Sequence, residues 1–144
     1  LTAENIVMYS TRYKTFTTGG DVYKKFEVHP YQIPDFLALV GDSSDGIPGM
    51  NGIGEKTASL LLKEHESIEK IYQNLNIWKN NIRSGERHAN TIFENYELLK
   101  LFKSLTTLRL DVKVPKKIEK YSLSQLNIDE LNKFSAKYQL NINL

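Results

Sequence analysis

Residues 35–58, DFLALVGDSSDGIPGMNGIGEKTA, decide how the chain is read. An apolar helical run ends at Gly41, a loop of Gly, Asp, Ser and Pro follows to Gly54, and a second helix starts at Glu55. Three mechanical readings compete. Gly49, Gly54, Lys56 and Thr57 approach the G-x-x-x-x-G-K-[ST] phosphate loop, but Glu55 intrudes between Gly and Lys and no strand leads in. Asp42, Asp45 and Gly46 suggest a calcium loop, yet Ile53 stands at the twelfth position, where a bidentate Glu is needed. The third reading is a helical hairpin that grips a nucleic-acid backbone. Gly52-Ile53-Gly54 would let a phosphate approach closely while amides of the turn and of the following helix start face outward. Lys56 adds a point charge, and a grip made only on phosphates ignores base sequence. An ordinary helix connection remains open beside it. Asp42 and Asp45 could share one hard divalent cation; equally, Asp42 could cap a turn and Asp45 be solvated. Two-metal nuclease chemistry needs further carboxylates, and Glu94 and Glu97 read as a solvated helix face.

Outward from that stretch, composition narrows the class. At 144 residues, 40% hydrophobic and 25% charged, the chain fits one globular domain burying roughly two-thirds of its unfolded surface. Eight Tyr, six Phe and one Trp exclude a disordered tail. The absence of Cys removes thiolate nucleophiles, zinc knuckles and iron–sulfur clusters. The longest strictly apolar run, Phe36 to Val40, is far too short for a bilayer span, and no cleavable signal pattern opens the chain. A soluble, intracellular protein without membrane partners is expected. A net charge of +2 and a pI near 8.7 hint only weakly at an anionic partner. Lys outnumbers the four arginines, Arg12, Arg83, Arg87 and Arg109, and with abundant Asn and Ile this reads as an AT-rich genome. Leu1-Thr2-Ala3, without an initiator Met, suggests a piece of something longer.

The coarse organisation is mainly helical. Ile6 to Tyr9 and Lys14 to Thr17 read as short strands, Thr18 to Asp21 as a turn, and Val22 to Phe26 as a short helix. From Pro30 onward, helices are predicted over Tyr31–Val40, over Glu55–Lys63 with Leu60, Leu61 and Leu62 inward, and over Ile68–Leu75 behind a Ser67 cap. A long helix from about His88 to Leu105 carries a stripe of Ile92, Tyr96, Leu99 and Phe102. Thr107 to Val114 is extended and Pro115 ends it. Asn127 to Glu130 carries a capping-box pattern for a last helix to about Tyr138. Trp78 reads as a core plug, and His29 and His65 as surface or cap residues. Lys113, Lys116, Lys117 and Lys120 form a basic run, either a solvated connector or a secondary DNA contact; Arg83, Arg87 and His88 pose the same choice.

Ile33 to Leu62, IPDFLALVGDSSDGIPGMNGIGEKTASLLL, resembles, almost position for position, the C-terminal part of the 5′-3′ exonuclease domain of bacterial DNA polymerase I and its stand-alone relatives, a family similar to flap endonucleases. The likeness is strongest over Asp35–Leu62, continues weakly through Ser67–Leu75 and Leu108–Asp111, and covers roughly residues 20 to 140. It implies a SAM-like, helix–three-turn–helix domain at about 36–63 within residues 30–144, with residues 1–29 a small β remnant of an upstream α/β, PIN-like nuclease core. It also implies that Asp42 and Asp45 ligate the second of two divalent metals, Mg²⁺ or Mn²⁺. Potassium would meet the carbonyls of Met50 and Ile53, and DNA phosphate the Gly52 and Gly54 amides, Lys56 and Thr57. The implied whole protein is a structure-selective nuclease of replication and repair, acting on double-stranded or flapped DNA without a small-molecule cofactor and fused to or working with a DNA polymerase. Two departures stand out. Gly46 replaces the family's usual Asn, which implies a looser metal loop. The remaining carboxylates would lie upstream of Leu1, so the fragment is expected to hold DNA and be inactive alone. The alternative is a non-catalytic duplex-binding or scaffold module. Bacterial cytoplasm is the default location; a nuclear-coded organellar protein of an AT-rich eukaryote is the other.

Overall fold

The computed structural model describes residues 6–115, 117, 119 and 127–140, in two compact units that meet in sequence between Leu108 and Arg109. The first unit opens on an antiparallel ribbon, β1 (Met8–Ser10) with β2 (Thr15–Thr17), in the register Met8↔Thr17, Tyr9↔Phe16, Ser10↔Thr15. Such a ribbon is marginal alone, and its Tyr9 and Phe16 rings remain exposed. Thr18 and Asp21 then form a reciprocal capping box. Two orphan donors are thereby satisfied, and Gly19-Gly20, read from sequence as a turn, become the first residues of α1 (Gly19–Phe26).

The predicted helix over Tyr31–Val40 is two elements: a 3₁₀ turn at Pro30–Gln32 and α2 (Ile33–Val40). Gln32 is buried because its side chain is fully used, accepting from the His29 amide and donating to the Leu62 and Glu66 carbonyls. Those carbonyls lie at the end of α3 (Glu55–His65), where the last C=O groups lack helical partners. On α3, Ala58, Ser59, Leu61 and Leu62 are buried while Leu60 is 40% exposed. The expectation of three inward leucines fails on geometry, since successive helical residues point about 100° apart. His65 is the last residue of the helix, half-buried rather than a surface or cap residue, the cap being Glu66, and its Nε2 is buried without a hydrogen-bond partner.

Ser67 caps α4 (Ile68–Gln73), accepting from the Lys70 amide. A short α5 (Leu75–Trp78) follows, and Trp78 is fully buried with its indole N–H donating to the Ile71 carbonyl at 2.9 Å. The single long helix expected over 88–105 is α6 (Gly85–Glu94) and α7 (Tyr96–Thr106). Asn95 interrupts it at φ −115°, ψ 24°, its side-chain amide donating to the Thr91 carbonyl at 2.9 Å. A short amide that bonds nearby backbone competes with the helical ladder. Ile92, Leu99 and Phe102 still share the core, whereas Tyr96 is half-buried and stacks on Tyr72 at 3.7 Å. In the second unit Asn127 accepts from the Glu130 amide and opens α8 (Ile128–Tyr138). No strand forms over Thr107–Val114. Lys116 and Lys120 lie outside the described residues; Lys113 and Lys117 are exposed. Among the described residues no helix is long and apolar enough to cross a membrane.

One buried ion pair ties α2 to α4 and α7. Lys103 Nζ on α7 lies 2.7 Å from Asp35 Oδ1 and 2.9 Å from Glu69 Oε1, and Asp35 also accepts from the Ile68 amide at 3.3 Å. Burial pushes the Asp35 carboxyl above its usual range, with Lys103 and the Ile68 amide pulling the other way. Lys103→Met strips the partner from a carboxylate that is only 7% exposed and should cost about 3 kcal/mol at neutral pH. That is the lower end for a severed buried pair, because Lys103 keeps 28% of its side chain in water. A carboxyl whose folded pKa is raised destabilises above its unfolded pKa and not below it. The difference from wild type should therefore shrink as pH falls through the carboxylate range, as followed by urea unfolding at several pH values.

Candidate nucleic-acid interface

The loop between α2 and α3 is folded by its backbone. Gly41 ends α2 at φ 98° with its amide on the Leu37 carbonyl at 2.7 Å. Asp42 and Ile47 then exchange two backbone hydrogen bonds, 2.8 and 2.9 Å. Inside that bridge the Asp45 amide donates to the Asp42 carbonyl at 3.2 Å, while the Ser44 amide and hydroxyl both donate to Asp42 Oδ1, at 3.0 and 2.6 Å. The Ser44 hydroxyl, then its amide, hold the Asp42 carboxyl below the usual carboxylate range. Gly46 lies at φ 71°, and a Cβ there would meet nothing within 4 Å. Asn is among the few side-chain-bearing residues that visit that left-handed region, and the open space leaves it free of collision, so Asn there carries only backbone strain.

Beyond the bridge, Gly49 (φ 72°) lies flat against the end of α2: a Cβ there would fall 2.4 Å from the Val40 carbonyl carbon and 2.5 Å from the Gly41 nitrogen. Met50 N–H donates to the Leu39 carbonyl at 2.7 Å, and Ile47, Met50 and Ile53 are buried. The Ile53 amide donates to the Met50 carbonyl at 3.0 Å, closing a four-residue turn with Gly52 at φ 82° in its third place, where positive φ selects glycine. Gly54 is the N-cap of α3 at φ −92°, ψ 179°, with no side chain to cap it. The first amides of a helix have no intrahelical acceptor. Among the described residues, the Gly52 and Gly54 amides and the Ile53 carbonyl take no hydrogen-bond partner either. Lys56 is exposed and Thr57 half-buried on the first turn of α3. An open groove of about 490 Å³ runs from there along α3, its cations Lys25, Lys56 and Lys63 set beside Glu27 and Glu55.

The structure also separates three basic residues that sequence grouped. His88 is buried, its Nδ1 without a partner, so it is no surface contact. Arg83 and Arg87 are exposed. Arg87 reaches the hairpin: its Nη2, Cζ and Nε lie 3.7, 3.8 and 4.0 Å from the place of a Cβ on Gly52. Nothing in the local sequence around 87 announces a turn 35 positions upstream. As to metals, Asp42 and Asp45 share one bridged loop, and among the described residues no group of three His, Asp or Glu forms around any point. Two carboxylates suit an ion that keeps waters or phosphate oxygens as its other ligands. Peptide carbonyls such as those of Met50 and Ile53 suit a monovalent cation, although the Met50 oxygen already accepts from Ile53.

Comparison with known proteins agrees with this architecture. Residues 28–129 match a family model described as 5′-3′ exonuclease, C-terminal SAM fold. The chain belongs to that family. It is 37% identical over 134 residues to DNA polymerase I of Caldicellulosiruptor bescii, 89% of this chain and 15% of that protein. It is 40% identical over 106 residues to a 5′-3′ exonuclease of Aquifex aeolicus, 73% of this chain and 36% of that protein. With a 5′-3′ exonuclease of Buchnera aphidicola subsp. Schizaphis graminum the identity is 30% over 142 residues, 98% of this chain and 50% of that protein. The chain thus spans half or less of the relatives it matches.

Two glycines of the loop should respond differently. Gly49→Ala drives a methyl group into backbone that no rotamer can relieve, on top of about 1–2 kcal/mol for the left-handed region, so a loss above 2 kcal/mol is expected. Gly46→Asn, strained in its backbone but free of collision, should cost less than about 1 kcal/mol. Paired thermal melts check both. Ser44→Ala should raise the Asp42 titration midpoint toward the ordinary value, read by NMR of the carboxyl carbon against pH.

Proposed function

We propose that this chain is the duplex-holding part of a structure-selective, divalent-metal-dependent 5′-3′ exonuclease or flap endonuclease of DNA replication and repair, fused to or working with a DNA polymerase. It grips the backbone of double-stranded or flapped DNA without sequence preference and is inactive alone. The observation that carries this reading is Gly54. Its φ is ordinary and a Cβ there would meet nothing within 4 Å, so the fold itself has no need of glycine at that place. Glycine is accepted at an N-cap about as well as Thr, but it brings no side chain to satisfy the free amides, and such a bare cap leaves room for an anion from outside. Relatives named DNA polymerase I and 5′-3′ exonuclease supply the class of substrate.

In this reading phosphate meets the Gly52 and Gly54 amides, Lys56 and Thr57, and Met50 and Ile53 offer carbonyls to potassium behind the turn. Asp42 and Asp45 contribute one side of a divalent-metal site whose other carboxylates come from an α/β core preceding the ribbon of β1 and β2. Bound Mg²⁺ or Mn²⁺ would supply a nucleophilic water and neutralise the leaving oxygen. This chain's own part is to fix the rail of phosphates against that site.

Gly54→Ser separates binding from folding. A hydroxyl at the N-cap should leave the melting temperature unchanged or raise it slightly, while duplex affinity drops roughly fivefold or more as the side chain occupies the phosphate's approach. Fluorescence anisotropy of a labelled duplex should show affinity falling with salt on a log–log slope of about −2 to −4, as for two to four neutralised phosphates. A 5′-flap substrate in Mg²⁺ should stay uncut. A flat salt response, or a serine variant that binds like wild type, overturns the grip; cleavage at a whole-enzyme rate overturns the division of labour.

A further inference from the structure

We infer that Arg87 is a second cation of the hairpin grip, closing over the same backbone phosphate that the Gly52–Gly54 turn meets; this rests on the reading of that turn as a duplex contact. Arg87 belongs to a different helix, α6, and is brought to the turn by how that helix starts. Ser84 takes φ 56° and Gly85 fits so tightly that a Cβ would sit 2.2 Å from the Lys79 carbonyl oxygen. Gly85, His88 and Ala89 bury the inner face of α6. With that face clamped, the exposed Arg87 can project only outward, and it lies over Gly52.

Two features suit the site to an anion from outside the chain. The near-equal distances of Nη2, Cζ and Nε from the Gly52 position, 3.7, 3.8 and 4.0 Å, mean that the guanidinium plane lies roughly face-on to the turn, with its N–H edge free. Nothing pays for that placement inside the chain: among the described residues Arg87 enters no ion pair, and its side chain makes no hydrogen bond. Arg109, by contrast, is held by both oxygens of Asp111. A planar fork beside outward amides is suited to two oxygens of one phosphodiester, in a way that an ammonium is not. A Cβ at Gly52 would stand in ordinary van der Waals contact with the guanidinium, so it is φ 82° that selects glycine there, and the guanidinium rests directly against the turn. Glu55, exposed on the first turn of α3, opposes an anion there, and a second cation offsets it.

The test measures binding of a labelled duplex across a potassium chloride series for the wild-type chain and for Arg87→Ala, Arg87→Lys and Arg83→Ala, each with a thermal melt. Arg87 is exposed, so all melts should coincide. Arg87→Ala should weaken binding roughly tenfold at one salt concentration and make the log–log slope shallower by about 1. Arg87→Lys should keep the slope yet recover only a minor part of the affinity. Arg83→Ala should lose clearly less than Arg87→Ala. A wild-type chain that fails to bind duplex sinks the hairpin reading and this inference together. Wild-type binding with Arg87→Ala unchanged, with equal losses at 83 and 87, or with full rescue by Lys sinks the inference alone.

Discussion

The contact between Gly49 and the Val40–Gly41 peptide governs the rest of the interface. There is no room for a Cβ between them, so the loop lies directly on the end of α2, close enough for the Met50 amide to reach the Leu39 carbonyl. That hydrogen bond satisfies a helix-terminal C=O that would otherwise be orphaned. It also turns Ile47, Met50 and Ile53 inward to join the core formed by α2 and α3. Each such side chain contributes about 1.5–3 kcal/mol when fully buried, so the loop is held by three apolar anchors rather than by its polar residues. Asp42, Asp45 and the Gly52 turn are carried on a segment whose ends cannot drift.

The glycines of this segment look alike in sequence and differ in cause. Gly49 is required by a collision and by φ, and Gly52 by φ alone. Gly54 is required by neither. Fold stability therefore explains the first two, while the third leaves the start of α3 open to a contact from outside the chain. Glycine is an accepted N-cap, but one without a side chain keeps the amides at the start of α3 open to an acceptor from elsewhere.

The elements that could be read from sequence were those specified locally. The Ser67 cap, the Asn127 cap and the helical runs on either side of residues 41–54 each depend on residues within one turn of each other, and a linear pattern contains that information. Gly19-Gly20 were misread because the Thr18–Asp21 box overrides glycine's low helix propensity. The break at Asn95 escaped a periodicity reading because the apolar stripe continues across it in Ile92, Leu99 and Phe102. Leu60 was misjudged by counting hydrophobic residues without their angle. At the candidate interface, the loop and its glycines are legible, and Arg87 stands out as a cation of open role beside Arg83 and His88, but its meeting with Gly52 is not legible, since that is set by how α6 begins and not by any motif around it.

Charge is distributed in a way that a net value of +2 conceals. Lys70, Lys100, Lys103 and Arg109 are each paired with a carboxylate, while Lys25, Lys56, Lys63 and Arg87 enter no ion pair among the described residues. Exposed charges are screened beyond about 8–10 Å at physiological ionic strength, so the small net charge provides little long-range steering. What remains is attraction at contact, which at the turn and the groove beside α3 is tempered by Glu27 and Glu55. On the proposed reading, such a site favours a rail of closely spaced phosphates over a single anion, because several weak, separately screened contacts add only when their partners are joined on one backbone.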